Sequence, residues 1–292
     1  MDDRNRIITG YALTLASAMT FAAKGIFAKL IYSYGVDPVT LLALRFAIAM
    51  PLFWGAVILF PSEKAAPGDI LILIASGAIG LSGAAILDFY GLVYVDASIE
   101  RVILYTYPSI VVVLSALVFK ERMGGRLWLA IAMVYIGLAM TLKVWAAPPG
   151  DYLLGAALIF ASAVIYAVSY VVTEALGRRV SAVKMSAYTT TAAGFVFIGV
   201  WMGRGAAMPQ EGAAWPLLIA LAAVSTFVPA LTVAMGIKMI GASRAALTGF
   251  TGPVATAALA YVILGERLDP VQLSGMAIVA AGVVFMAAGR RV

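Results

Sequence analysis

Three ionisable residues stand inside long apolar stretches of the sequence. Lys24, Arg45 and Asp88 are each flanked on both sides by hydrophobic runs. Ionisable groups in membrane-crossing segments are energetically unfavourable, usually face the interior of a helix bundle, and mark ion pairs, proton paths or ligand sites. Asp88 has two candidate partners, Arg45 and Lys24, between which the residues alone do not choose. We expect Asp88 and one of these cations to form a charged cluster or gate.

Two prolines in apolar stretches have polar neighbours. Beside Pro108 and Pro253 lie Tyr105 and Thr106, and Thr248 and Thr251. A proline inside a helix releases the carbonyl four residues earlier, because it has no N–H to donate. Irregular backbone at membrane depth is tolerated where it is buried in protein or faces a watery cavity. Simple packing kinks are the alternative, and we expect these residues to line a cavity.

The elements that must position these residues are membrane-spanning helices. Of 292 residues, 63% are hydrophobic and 12% charged, with a mean hydropathy of +1.02, whereas soluble domains carry about 25% charged residues. About 20 apolar residues cross a bilayer as a helix. The sequence predicts ten such spans, at 8–31, 39–60, 70–93, 100–119, 127–144, 152–174, 183–202, 215–237, 243–264 and 271–288. These runs lack the alternation of β-barrel strands.

The basic residues predict the orientation of these spans. Of the 20 Lys and Arg residues, 13 fall at one end of the predicted bundle, and five, including Arg101, fall at the other. Such a bias places the richer end in the cytoplasm, so we expect a multi-pass protein of the cell (inner) membrane with both termini cytoplasmic. The net charge of +6 is thereby explained by topology, and we expect no nucleic-acid partner.

The two halves of the chain repeat one another at an offset of 145 residues. Pairs at this offset include Gly10 and Gly155, Ser17 and Ser162, Gly91 and Gly236, Thr106 and Thr251, Pro108 and Pro253, Glu121 and Glu266, and Arg122 and Arg267. We expect two domains, residues 1–146 and 147–292. Each half holds five spans, an odd number, so the second copy must enter the membrane inverted. The predicted fold is an all-α membrane protein of ten transmembrane helices, arranged as two inverted five-helix repeats around a central cavity.

The repeat also relates a second set of candidate cavity residues. Phe21 corresponds to Tyr166 and Lys24 to Ser169, while Thr226 and Phe227 stand together in the eighth span. Packing against lipid or neighbouring helices is the alternative for the aromatic members. The paired Glu121–Arg122 and Glu266–Arg267 follow the fourth span of each half, where we expect a structural turn or hinge.

Two phrases resemble a known family. "LGERLDPVQLSGMAIVAAGVV", residues 264–284, is similar to the closing signature of the EamA-type domain of the drug/metabolite transporter superfamily, and "DPVTLLALRFAIAMPL", residues 37–52, is similar to its second helix. The resemblance covers essentially the whole chain as two five-helix domains. It implies a bacterial exporter of amino acids or other metabolites.

Inverted repeats are typical of secondary transporters. We expect alternating-access export of small uncharged or zwitterionic metabolites, with amino acids leading, aromatic or hydrophobic ones among them. Other metabolite classes, such as nucleotide sugars or drug cations, are alternatives, as are an intramembrane enzyme and a sensor without flux. The chain has no Cys and no His, which disfavours an enzyme, and it lacks a Walker-type phosphate-binding loop. The expected partners are a small-molecule substrate and the lipid bilayer, with no cofactor or metal.

Overall fold

The computed structural model describes residues 3–60, 65–118, 125–142, 145, 151–177, 179–248 and 252–288. Within these ranges the elements are helical and no strand occurs. The α-helices are α1 Asp3–Ala22, α2 Lys24–Ser33, α3 Pro38–Leu59, α4 Pro67–Ala75, α5 Ser82–Tyr94, α6 Ala97–Leu104, α7 Tyr107–Val118, α8 Gly125–Leu142, α9 Asp151–Leu176, α10 Ala182–Gly203, α11 Ala214–Ala222, α12 Val228–Ile240, α13 Ala242–Thr248, α14 Gly252–Leu259 and α15 Pro270–Ala288. π-Helical segments occur at Ser76–Leu81, Ala223–Phe227 and Ala260–Leu264.

Six helical segments of the described chain are long and apolar enough to cross a membrane. They are Arg4–Ser33, Pro38–Leu59, Pro67–Tyr94, Asp151–Thr173, Ala182–Gly203 and Ala214–Ile240. These coincide with the first three predicted spans of each half. Shorter apolar helices at Trp128–Thr141, Ala255–Leu264 and Pro270–Gly282 overlap three other predicted spans. The all-helical membrane fold is confirmed, and the count of ten spans stays a prediction.

The helix that carries Pro108 is interrupted where the missing N–H predicts a break. α6 ends at Leu104, Tyr105 and Thr106 form a turn, and α7 begins at Tyr107. The Thr106 hydroxyl donates to the Ile103 carbonyl at 2.8 Å. Residues 249–251, Thr251 among them, lie outside the described residues, and helix resumes at Gly252 as α14.

A second interruption, at Ala23, separates α1 from α2. Two carbonyls just before it are bound by side chains from other helices. Arg101 Nη2 donates to the Phe21 carbonyl, and Thr256 Oγ1 donates to the Ala22 carbonyl at 2.9 Å. This matters because a buried carbonyl without a donor is costly in a membrane.

The helices of the two halves pack in matched pairs. α1 packs on α12 and α9 on α5, while α3 packs on α10 and α8 on α15. Adding 145 to the residue numbers converts α1 to 148–167, which overlaps α9, and converts α5 to 227–239, which overlaps α12. Exchanging the halves therefore converts the first contact into the second.

Single contacts follow the same exchange. Ser17 Oγ donates to the Pro229 carbonyl at 2.9 Å, and Ser162 Oγ donates to the Ala84 carbonyl at 2.8 Å; both donors and both acceptors are 145 residues apart. Where α5 crosses α9, a Cβ added to Gly91 would lie 2.8 Å from the Gly155 carbonyl oxygen. Only glycine allows the two backbones to approach this closely.

Charged residues join neighbouring elements at the helix ends. Arg179 pairs with Asp69 at 3.3 Å at the end predicted to be cytoplasmic, and Arg204 pairs with Asp37 at 3.6 Å at the opposite end. Asp37 also caps α3. Burial opposes its ionisation, but hydrogen bonds from Thr40 and from backbone N–H groups, with the charge of Arg204, outweigh burial and lower the pKa of Asp37.

Candidate functional site

A cavity of about 180 Å³ lies between α1, α3, α4, α9, α10, α12 and two of the π-helical segments. Its wall is rich in hydroxyl groups, contributed by Ser17, Ser76, Tyr166, Ser169, Tyr170, Thr173, Ser186, Thr189, Thr190, Ser225 and Thr226. Phe21, Phe46 and aliphatic side chains supply the apolar surface. Among the described residues that line the cavity, Arg45 is the one with a charged side chain.

Five of the predicted site residues line this cavity: Phe21, Arg45, Tyr166, Ser169 and Thr226. Tyr105 lines an adjoining cavity of about 30 Å³, which Phe21 and Tyr166 also border. The main cavity therefore continues toward the broken helix at Tyr105 only as a narrow extension. This volume matches about one water molecule.

The other predicted cavity residues lie elsewhere. Lys24, Thr106, Pro108, Phe227 and Thr248 are not among the described residues that line the main cavity. Thr106 is buried and bonds its own turn, Phe227 packs edge-on against Phe53, and the Thr248 hydroxyl bonds the Arg244 carbonyl. Thr251 and the side chain of Pro253 lie outside the described residues.

Lys24 lies beyond the cavity, in a cluster with two carboxylates. Its Nζ contacts Asp88 Oδ2 and lies 2.9 Å from Glu100 Oε1. The three residues are at most 2% exposed. Of the two cations considered as partners for Asp88, Lys24 is therefore the one that forms the ion pair in the structure. Because one ammonium serves two carboxylates, Asp88 Oδ1 and Glu100 Oε2 find no donor within the described part of the chain.

Two aromatic rings lie between the cations of this region. Lys24 Nζ is 5.0 Å from the centre of the Phe21 ring, and Arg101 Cζ is 4.7 Å from the same ring. The Phe89 ring lies 5.4 Å from Lys24 Nζ and 5.1 Å from Arg45 Cζ. Ring faces attract cations, so Phe21 and Phe89 hold three like charges near one another while separating them.

Arg45 is held by a residue of a π-helical segment. Its Nε donates to Thr226 Oγ1 at 2.6 Å, and this hydroxyl donates to the Leu221 carbonyl at 2.8 Å. The acceptor lies five residues before the donor, in the stretch where the π-helical turn displaces the regular ladder. π-Helical turns occur frequently at functional sites, and this one presents the hydroxyl that orients the guanidinium.

Sequence reasoning missed Glu100 and Arg101. It began the fourth span at residue 100 and placed Arg101 at the outer, solvated end, with Asp88 as the lone acid deep inside a span. In the structure both Glu100 and Arg101 are fully buried in α6, which begins at Ala97. Asp96, a residue type favoured at the start of a helix, is the signal that would have moved the span start back and enclosed both charges.

Glu266, in the Glu-Arg pair of the second half, forms hydrogen bonds with the first half. Glu266 accepts hydrogen bonds from the backbone N–H groups of Ala97 and Ser98, at 2.9 and 3.1 Å, and from the Ser98 hydroxyl at 2.7 Å. A carboxylate at a helix N-terminus satisfies free N–H groups and the helix dipole. Gly265 has a φ of 70°, a conformation suited to glycine. Glu121 and Arg122, the equivalent pair, lie outside the described residues.

The sequence matches a family of membrane transporters. The profile of the EamA-like transporter family matches the chain twice, over residues 8–143 and 153–288. The chain belongs to this family, and we describe it as a multi-pass membrane transporter. A solved crystal structure, described only as that of a protein, has a TM-score of 0.68 over 96% of both chains at 18% identity, which supports the fold.

Relatives of the chain are described as transporters without a stated substrate. The uncharacterized transporter YcbK of Bacillus subtilis is 31% identical over 96% of this chain and 92% of its own length. An uncharacterized transporter of Synechocystis is 26% identical over 69% of this chain and 62% of its own. One from Archaeoglobus fulgidus is 25% identical over 70% and 75%.

Proposed function

We propose that the chain is a secondary transporter that exports small zwitterionic or uncharged metabolites by alternating access, with amino acids as the leading class. The observation that carries the proposal is the hydroxyl-rich, aromatic-walled cavity of about 180 Å³ between α1, α3, α4, α9, α10 and α12. A dry cavity of roughly 150 Å³ can hold a benzene molecule. The volume therefore suits a small solute, of the size of one amino acid.

Two inverted five-helix repeats would supply the conformational change. The twofold match of the family profile and the paired hydrogen bonds of Ser17 and Ser162 support a duplicated architecture. In such a design, rocking one repeat against the other exposes the same central site alternately to the two sides. The paired helix contacts are the surfaces that would slide.

In this proposal the structure corresponds to one of the two states of the transport cycle, which differ in the side of the membrane that the cavity faces. Leu73, Leu176, Met185 and Ile237 extend the cavity toward the end that carries Arg179, predicted to be cytoplasmic. The buried Lys24 cluster and the Glu266 cap lie toward the opposite end. We therefore assign the conformation as closed outward, with the cavity displaced toward the cytoplasmic side, where Leu73, Leu176 and Met185 pack over it and are each at most 4% exposed. Export itself rests on the family resemblance.

The alternatives have less support. An intramembrane enzyme would need reacting groups around the cavity, and the described lining offers hydroxyls and one arginine. A sensor without flux would share the fold, so only flux separates it from a transporter. Sugar phosphates and nucleotide sugars would call for several converging cations.

Proteoliposomes test the proposal. Vesicles loaded with labelled amino acids should release them faster than protein-free vesicles. Ser169→Phe, which fills the cavity, should abolish the release, whereas Ser274→Phe, at an exposed position on α15, should leave it unchanged. If no amino acid moves above background while nucleotide sugars or polyamines do, the substrate class is wrong. If nothing moves, transport itself is contradicted.

A further inference from the structure

We propose that the transported solute carries one carboxylate and that Arg45 binds it at the closed end of the cavity. This inference rests on the proposed function and changes its substrate class: it requires a carboxylate, which keeps zwitterionic amino acids, excludes uncharged solutes, and admits simple carboxylic acids because the amine is dispensable.

The count of buried charges supports an anionic ligand. Among the described residues, Lys24, Arg45 and Arg101 are buried with two buried carboxylates nearby, Asp88 and Glu100. Both carboxylates contact Lys24. A buried charge without a counter-ion is strongly unfavourable. With all five groups ionised, the region holds one excess positive charge that an anion of single charge would neutralise.

Arg45 is the cation that a solute can reach. It is 6% exposed, and it lines the cavity. Among the described residues, no carboxylate forms an ion pair with Arg45 and none lines this cavity. Lys24 and Arg101, by contrast, are not among the described lining residues. Lys24 contacts Asp88 and Glu100. Arg101 donates to Thr256 Oγ1 and the Phe21 carbonyl, and its Nη1 has no partner among the described residues.

The guanidinium is held in a defined orientation. Nε bonds Thr226 Oγ1, and the rings of Phe46 and Phe89 lie 5.3 and 5.1 Å from Cζ. These contacts fix the planar group while using one of its five donors. The four N–H groups of Nη1 and Nη2 form the fork that binds a carboxylate through two parallel hydrogen bonds.

The chemistry of the wall favours a carboxylate over other groups. A phosphate monoester carries up to two charges at neutral pH, and one arginine is a poor match. An ammonium group would find hydroxyl oxygens and aromatic faces within the described lining but no carboxylate, so it contributes less than the acid. Phe21, Tyr166 and Tyr170 offer aromatic surface to the remainder of the solute.

Binding to the purified protein tests the inference with four matched probes: phenylalanine, 3-phenylpropanoate, phenylalaninamide and phenethylamine. We expect the two acids to raise the unfolding temperature at millimolar concentrations, and the amide and amine to bind at least tenfold more weakly. Arg45→Gln should remove the preference for the acids. Arg204→Gln, at an exposed arginine, should keep it.

Two milder variants cover the case in which Arg45→Gln does not fold. Arg45→Lys keeps the charge and loses the fork, and Thr226→Val loosens the guanidinium while leaving it present. Both variants should weaken the binding of the two acids several-fold and leave the binding of phenylalaninamide unaffected. Equal binding of acid and amide to the wild type, unchanged acid binding in these variants, or no acid binding at all would overturn the inference.

Failure of the proposed function gives a different result. If the wild type binds the acids through Arg45 but proteoliposomes release no solute, the site stands and transport fails. If amides and amines are released as fast as acids, transport stands and the role of Arg45 fails.

Discussion

The Ser98 hydroxyl donates to the Glu266 carboxylate at 2.7 Å, although the two residues lie 168 positions apart. Ser98 stands in the first turn of α6, and Glu266 belongs to the Glu-Arg phrase of the second half. A turn motif of one repeat therefore caps a helix of the other. The cap lies toward the end of the molecule predicted to face outward, so it joins the two halves where the proposed alternating access would require them to separate.

Replacing the capping carboxylate should weaken this junction. We expect Glu266→Gln to lower the unfolding temperature by a few degrees, because loss of a cap costs about 1 kcal/mol. Glu211→Gln, at an exposed glutamate, is the control. Thermal unfolding in detergent provides the measurement, and equal unfolding temperatures for the two variants would contradict a capping role.

The Lys24 cluster should respond as a unit. Lys24→Met leaves Asp88 and Glu100 buried without their shared ammonium, and breaking a buried pair typically costs about 3–5 kcal/mol. Adding Asp88→Asn should restore part of the loss, because the double variant buries one uncompensated carboxylate fewer. Unfolding temperatures of the four proteins measure the coupling. Lys238→Met, at an exposed lysine, should have little effect; additive losses would argue against the cluster.

The close helix crossing gives a steric prediction. Gly91→Ala should destabilise the protein, because its Cβ would lie 2.5 Å from Ile159 Cγ1 and 2.8 Å from a backbone oxygen. Gly199→Ala adds a Cβ with nothing within 4 Å and should be neutral or stabilising by up to about 1 kcal/mol. Expression yield and thermal unfolding distinguish the two. A Gly91→Ala protein as stable as the Gly199→Ala protein would show that the crossing is looser.

Single cysteines test the orientation, since the natural chain has none. Arg204→Cys should react with a membrane-impermeant maleimide in intact cells, whereas Lys238→Cys should react only after permeabilisation. Both positions are exposed. Labelling of both from the same side would contradict the predicted topology, and the inverted repeat with it.

Local effects were predictable from the sequence. The helix break three residues before Pro108 was predictable because proline has no N–H to donate, and this effect depends on the identity of one residue alone. The repeat offset pointed to Ser17 and Ser162 as equivalents, and the structure gives them equivalent acceptors. Span positions also agree where apolar runs are long, because length and hydropathy decide them.

Long-range side-chain contacts were not predictable. The sequence left Lys24 and Arg45 as equal partners for Asp88, and the three-dimensional structure is needed to show that Asp88 contacts Lys24 while Arg45 lies on the Phe89 ring. Glu266 was interpreted as part of a turn, but its main contacts lie in the other half. Arg101 was assigned to the outer end and Glu100 was not considered, because a charge beside a span end is easily solvated unless other helices cover it.

The buried charges also make the two halves unequal. The positions 145 residues after Lys24, Arg45, Asp88, Glu100 and Arg101 hold Ser169, Thr190, Val233, Ala245 and Ala246. If the halves exchange roles during a transport cycle, the opposite closure has no matching ion pairs to form. We expect the protein without solute to favour the state with its cavity toward the basic end. Each tenfold excess of that state over the opposite one corresponds to a free-energy difference of about 1.4 kcal/mol. In such a cycle the solute would offset this difference by binding the other facing state more tightly.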